Sequence, residues 1–364
     1  MKKTSAWPLA LIYTGLIFYA SLYPFSDWRS QGILPWAFLG SSLPRYWTGF
    51  DVATNVIGYV PLGFLLVLSA LRVGRDRFAV VTATLLAGLL SFSMESLQSY
   101  LPARVPSNVD LGLNLLGAWL GAVFASVMER LGGIDRWSRF RSRWFVADAR
   151  GALVLLAMWP LALLFPAAVP FGLGQVQERL EAALTDALLD TPLLNWLPVR
   201  DIELQPLVPG AELLCVLLGL LIPCLLGYCV IRSTVRRSLF VLLVLAVGVA
   251  ATALSAALSY GPEHAWAWLS LPVKAGIGIA LFLVSLLIWV PRRASIALLL
   301  LALGLYLSLL NQAPASPYFA QTLSTWEQGR FIRFHGLAQW LGWLWPYATL
   351  LYALTQVGGG EAKN

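Results

Sequence analysis

Two stretches of the chain read Asp-x-x-x-Asn-x-x-Gly: Asp51, Asn55, Gly58, and Asp110, Asn114, Gly117. Each opens a long apolar run. Glu95 and Gln98 lie on a third apolar run between them, and Arg104 lies on the short segment that follows. Ionisable groups inside hydrophobic segments are costly and face a protein or water-filled interior rather than lipid. The expectation is a polar pocket built from Asp51, Asn55, Glu95, Gln98, Arg104, Asp110 and Asn114. Three carboxylates that close cannot all ionise cheaply, so a cation or a shared proton belongs among them. Arg104 can supply the charge, or offer its planar fork to a phosphate.

That set of residue types supports three chemistries. Carboxylates, carboxamides and a guanidinium recognise sugar hydroxyls and phosphate, as in the headgroup of a lipid-linked glycan. Glu95 with Asp51 or Asp110 forms the acid/base or nucleophile pair that glycosyl chemistry uses, which makes these three the catalytic candidates. The same oxygens also suit a divalent ion or a structural lock, although no compact acidic loop is present. The first is the preferred reading, and whether the protein is an enzyme stays open. The bland alternative is that each Asp caps its helix while each Gly lets two helices approach.

A second constellation precedes the last apolar run: Trp326, Glu327, Arg330, Arg333 and His335, in STWEQGRFIRFHG. Two arginines there offer phosphate binding, and His335 a proton carrier. The plain alternative is an interfacial helix with snorkelling arginines and a tryptophan belt. His264, in GPEHAWAW, reads as a loop residue.

These residues must be positioned by elements that live in lipid. Hydrophobic residues make up 59% of the chain and charged residues 12%, with a mean hydropathy of +0.73. A soluble domain carries about 25% charged residues, so this chain cannot cover itself with polar surface. The 16 Trp suit interfacial anchoring. A crossing helix needs about 20 mostly apolar residues. Ten runs qualify: 7–24, 51–71, 78–99, 109–128, 151–169, 211–231, 238–260, 271–290, 294–311 and 335–355. The first reads as a retained anchor rather than a removed leader. The fold class is therefore an all-α, polytopic transmembrane helical bundle. With the N-terminus inside, 17 of the 25 Lys and Arg fall on inner segments, which places both termini in the cytoplasm and the polar pocket on the outer side. The net charge of +7 reports this topology, and no nucleic-acid partner is expected.

The basic segment 131–150 separates a four-span unit, 1–130, from a six-span unit, 151–364. Within 170–210, QVQERLEAALTDALL has apolar residues at helical spacing and predicts an amphipathic helix. Cys215, Cys224 and Cys229 lie in one apolar run, so disulfide or metal use is not expected. There is no Gly-rich phosphate loop, metal-binding His pair or Gly-x-Ser-x-Gly elbow. No cofactor is expected.

The polar residues carry a family resemblance. DVATNVIGYVPLGFLL, SFSMESLQSYLPAR and VPSNVDLGLNLLGAWLG resemble the VanZ-like membrane proteins in order, spacing and residue type, over about a third of the chain. The resemblance implies a role at the cell envelope and in glycopeptide-antibiotic tolerance, in a bacterial inner membrane. It marks Asp51, Asn55, Glu95, Gln98, Arg104, Asp110 and Asn114 as the family's polar positions. The expected partners are the lipid bilayer, a lipid-linked glycan or glycolipid, and envelope-assembly proteins if the role is that of a scaffold.

Overall fold

The computed structural model describes residues 6–22, 25, 27–43, 49–74, 78–102, 104–165, 167–189, 191–192, 204–314 and 332–358, without the side chains of Phe50, Arg179, Ala182, 332–337 and Gly358. These residues form two compact units, Met1–Phe140 and Arg141–Asn364. Both are helical, and no sheet occurs among the described residues beyond the isolated pairing of Phe145 with Ile231.

The first unit holds α1 (Ala6–Leu22), a single 3-10 turn at Ala37–Gly40, α2 (Gly49–Arg72), α3 (Ala79–Gln98) and α4 (Asn108–Arg130). The unit boundary falls within α5 (Gly133–Trp144), inside the basic segment. Lipid offers no hydrophobic drive between helices, so these pack through small residues. On α3, Ala79, Ala83 and Ala87 recur every four residues on the buried face, while Val81, Leu85, Leu86 and Leu89 are exposed. On α4 the buried face is Asn114, Gly117, Ala118, Gly121, Ala122 and Ala125.

Helices α2 and α4 touch backbone to backbone. A Cβ on Gly117 would lie 2.1 Å from the Val56 carbonyl oxygen, one on Gly121 1.9 Å from that of Val60, and one on Gly63 1.9 Å from that of Ala118. The contacts advance together along both helices, so the two run parallel. Of the two motif glycines, only Gly117 makes such an approach. Gly58 would meet nothing within 4 Å, and Gly63 takes the role expected of it.

The second unit contains α6 (Arg150–Ala162), α7 (Gln177–Leu188), α8 (Pro209–Tyr228), α9 (Thr234–Tyr260), α10 (Leu271–Leu286), α11 (Arg292–Leu310) and α12 (Ile332–Gly358). Every residue of α8 from Cys215 to Tyr228 is buried, so α8 is the axis of this unit, and the three free cysteines belong to its core. Arg237 is buried at one end of the unit. It donates to the carbonyls of Tyr228 at 2.8 Å and of Ile288 and Val290 at 2.7 Å each. Those carbonyls sit where α8 ends and where the 3-10 turn Leu287–Trp289 follows α10. One guanidinium thus satisfies orphan acceptors of two helix ends, where a cation also suits the helix dipole.

Among the described residues, seven of the ten expected runs are helices long and apolar enough to cross a membrane: α2, α3, α4, α8, α9, α10 and α11, the first counted from Asp51 and the sixth extended to Trp289. By composition and helix length this is a multi-pass membrane protein. The run 7–24 yields a 17-residue helix, and 335–355 falls within the 27-residue α12. The run 151–169 departs from expectation, because its helix stops after 13 residues at Ala162. The described residues from Leu163 to Gly174 are not helical, and 163–165, Val169 and 171–174 are buried. Such backbone is tolerated at membrane depth only where protein satisfies it. Here the Tyr306 hydroxyl donates to Phe171 O at 2.6 Å and accepts from Leu173 N. Ser255 Oγ donates to Leu164 O at 3.0 Å, Asn311 Nδ2 to Gly174 O at 3.2 Å, and Gly174 N to Gly342 O at 2.7 Å.

Candidate functional site

The buried face of α3 changes character along its length. Its alanines give way to Ser91, Glu95 and Gln98 in the last two turns, all buried. Spacings of four and three residues keep them on one stripe. This end of α3 is tied to the start of α4 and the end of α1 by its polar side chains.

Glu95 is 4% exposed, and its Oε2 accepts the backbone N–H of Ser107 at 2.8 Å. Ser107 is the N-cap of α4, and its Oγ accepts the N–H of Asp110 at 3.3 Å. A carboxylate here faces the positive end of the helix dipole. The alternative reading in which Asp110 caps α4 does not hold, because Ser107 is the cap. Asp110 sits three residues inside the cap, at the acidic place of a capping-box pattern. Asp51 likewise falls in the first turn of α2, not ahead of it.

Gln98 and Arg104 point to α1. Gln98 Nε2 donates to Ser21 O at 3.1 Å, and a terminal guanidinium nitrogen of Arg104 lies 3.4 Å from Ala20 O. Ala20 and Ser21 belong to the last turn of α1, whose carbonyls have no partner within their own helix. Arg104 is 9% exposed. It lies on the connection between α3 and α4, as its sequence position implies, but its side chain is buried as a tie to α1. Asp51, Glu95, Arg104 and Asp110 each make interactions beyond those given above.

Asn114 is buried beneath this layer, where its Nδ2 donates to Ser91 Oγ at 2.9 Å. The Tyr59 hydroxyl is buried beside Ser91 and Glu95 without reaching hydrogen-bonding geometry. Tyr59 OH and Asn114 Oδ1 are both buried polar atoms with no hydrogen-bond partner among the described residues. Next to Tyr59, the Gly58 carbonyl accepts the Tyr13 hydroxyl at 2.9 Å.

The helix register places the two motifs side by side. Cβ atoms tilt toward the N-terminus of a helix and carbonyls toward its C-terminus. The Cβ-to-oxygen approaches of α2 and α4 therefore bracket the true register from both sides. Their offsets are 61 residues (56 to 117, 60 to 121) and 55 residues (63 to 118). The motif offset of 59 (51 to 110, 55 to 114) lies between them. Asp51 is thus level with Asp110, and the half-buried Asn55 with Asn114.

No group of three His, Cys, Asp or Glu among the described residues is placed to hold a metal ion, so Asp51, Glu95 and Asp110 do not form an ion cage. Of the second constellation, Trp326, Glu327 and Arg330 lie outside the described residues, and Arg333 and His335 are described only as backbone of α12. His264 is exposed, with Nδ1 3.5 Å from Glu263. Sequence reasoning missed Ser91, Ser107 and Tyr59. Ser91 was findable, since it lies one turn before Glu95 on the same stripe. Tyr59 carried no signal among the aromatic residues of an apolar helix.

This four-helix arrangement, with polar side chains gathered at one end of small-residue helices, is the setting in which the family match falls. Residues 7–129 match the family model described as VanZ/LLP1, so the first part of the chain is a VanZ-family segment. No curated protein and no solved structure matches the chain.

Proposed function

We propose that the VanZ-family unit binds the polar headgroup of a lipid-linked cell-envelope glycan or glycolipid, at the end of the unit where α2 and α4 begin. The observation that carries this reading is the unused hydrogen-bonding capacity of Asn114 Oδ1 and Tyr59 OH, which are buried around Ser91 beneath the level pair Asp51 and Asp110. An unsatisfied buried polar atom costs about 1–3 kcal/mol, and a hydroxyl-rich ligand would recover that cost. On the positive-inside reading this end faces away from the cytosol, where headgroups of the outer leaflet are presented. A catalytic version would use Glu95 with Asp51 or Asp110 on the same ligand.

A structural reading has its own support: Glu95 holds the start of α4, while Gln98 and Arg104 hold the end of α1. The two separate experimentally, because Asn114 and Asn55 are not among those ties. Binding of a polyprenyl-diphosphate disaccharide to the purified protein in lipid nanodiscs would be followed by native mass spectrometry. Both Asn55→Leu and Asn114→Leu are expected to weaken binding about tenfold, one hydrogen bond's worth at a buried site; Asn55→Leu is expected to keep the wild-type melting temperature, while Asn114→Leu also loses its bond to Ser91. Undiminished binding in both variants, or no binding by the wild type, refutes the proposal. A chemically altered lipid after incubation makes the site catalytic, and unaltered lipid makes it a binding site.

A further inference from the structure

The second unit contains a cavity of about 630 Å³, within the size range of small-molecule sites. It is floored by the broken segment after α6, through Leu163, Phe165, Val169 and Phe171, and walled by Thr252 on α9 and Trp268. Glu212, Tyr260, His264 and Ser270 line it at the end of the unit opposite the buried Arg237. Thr252 lies eight residues before Tyr260 on α9, so the cavity reaches about 12 Å along that helix at 1.5 Å per residue.

Three features mark it as a site rather than a packing gap. Thr252 is 9% exposed, and its Oγ1 has no hydrogen-bond partner among the described residues. Phe171 holds φ +61, a conformation that bulky residues rarely adopt, and it is kept there by the Tyr306 hydroxyl at its carbonyl. Strained backbone of this kind clusters at ligand sites. The floor is an interrupted membrane segment, the kind of element that lines binding sites within helical bundles.

The lining also dictates the ligand's charge. Among the described residues, Glu212 is its only carboxylate, and no Lys or Arg lines it. Glu212 Oε1 accepts the Ser270 hydroxyl at 3.2 Å, which orients the carboxylate at the rim. The walls are aromatic, with Phe171 and Trp268 edge to face at 5.8 Å. A carboxylate above aromatic rings attracts cations and repels phosphate. We propose that this cavity binds an amphipathic cation, an amine or quaternary ammonium whose apolar body lies on Phe171 and Trp268 and whose charge lies at Glu212. This ligand class differs from the glycan headgroup proposed for the first unit.

The test uses the full-length protein in nanodiscs of zwitterionic lipid. Ethidium serves as the cationic probe and N-phenyl-1-naphthylamine as the uncharged one, each followed by fluorescence polarisation. Wild type is expected to bind ethidium saturably. Glu212→Gln is expected to weaken ethidium about tenfold while leaving the uncharged probe within twofold. Ala256→Leu, which fills the cavity from α9, is expected to reduce both. If Glu212→Gln fails to insert, Thr252→Val and Ala256→Leu still report on the site, since neither removes a charge. Absence of ethidium binding by wild type, equal ethidium affinity in Glu212→Gln, or binding of both probes undiminished by Ala256→Leu overturns the proposal.

Discussion

Replacing Gly117 by alanine adds a single carbon, yet it should disrupt the first unit. The new Cβ would sit 2.1 Å from the Val56 carbonyl oxygen and 2.9 Å from its carbon, in rigid helix backbone on both sides. Ordinary van der Waals contact begins near 3.4 Å, so α2 and α4 must separate by about 1 Å. One turn further along, a Cβ on Gly121 would lie 1.9 Å from the Val60 carbonyl oxygen, so the two backbones are in close contact there as well. Overpacking of this kind costs about 1–3 kcal/mol, and weaker dispersion attraction across the widened seam adds to it. Gly58→Ala is the internal control. It meets nothing within 4 Å, and alanine is favoured over glycine in a helix by about 0.5–1 kcal/mol. Unfolding of each variant in the same detergent should rank Gly58→Ala at or above wild type and Gly117→Ala well below it. Equal stability of the two variants would refute the backbone-to-backbone seam, and with it the register that sets Asp51 level with Asp110.

Two further substitutions test how buried polar groups are held. Glu95→Ala removes the acceptor of the Ser107 N–H and should cost at least about 1.5–3 kcal/mol, the range for hydrogen bonds to charged groups; hydrogen exchange should show faster exchange at Ser107 and the first turn of α4, and unchanged protection there would count against the clasp. Tyr306→Phe leaves Phe171 O and Leu173 N without the hydroxyl they share, so it should lower the unfolding midpoint by an amount equivalent to about 1–3 kcal/mol, with exchange rising in 163–174 before the rest of the unit; a uniform response would show that the segment is held by packing alone.

Much of the first unit was readable from residue types. Asp51, Glu95 and Asp110 in apolar runs announced a polar end because such residues are too costly to place at random. The Ala and Gly content of α3 and α4 announced close helices. What could not be read was the use of each side chain. Gln98 and Arg104 satisfy carbonyls of Ala20 and Ser21, about 80 residues away, and no local pattern encodes that contact. Gly58 and Gly63 are equally plausible seam residues by sequence, since each lies in the apolar run of α2. Only the register of the facing helix decides between them.

The amino-acid order alone settled that the chain lives in lipid, where its long helices begin and end to within a few residues, and that residues 7–129 carry the VanZ-family pattern. Composition and run length are properties of the chain itself, so they need no knowledge of neighbours. Tertiary structure decided that the helix of the fifth apolar run stops at Ala162, that Arg237 closes two helix ends, and that a cavity opens above Phe171. Each of these depends on hydrogen-bond partners brought from distant segments, and in lipid an unpaired backbone group is too costly to persist without them.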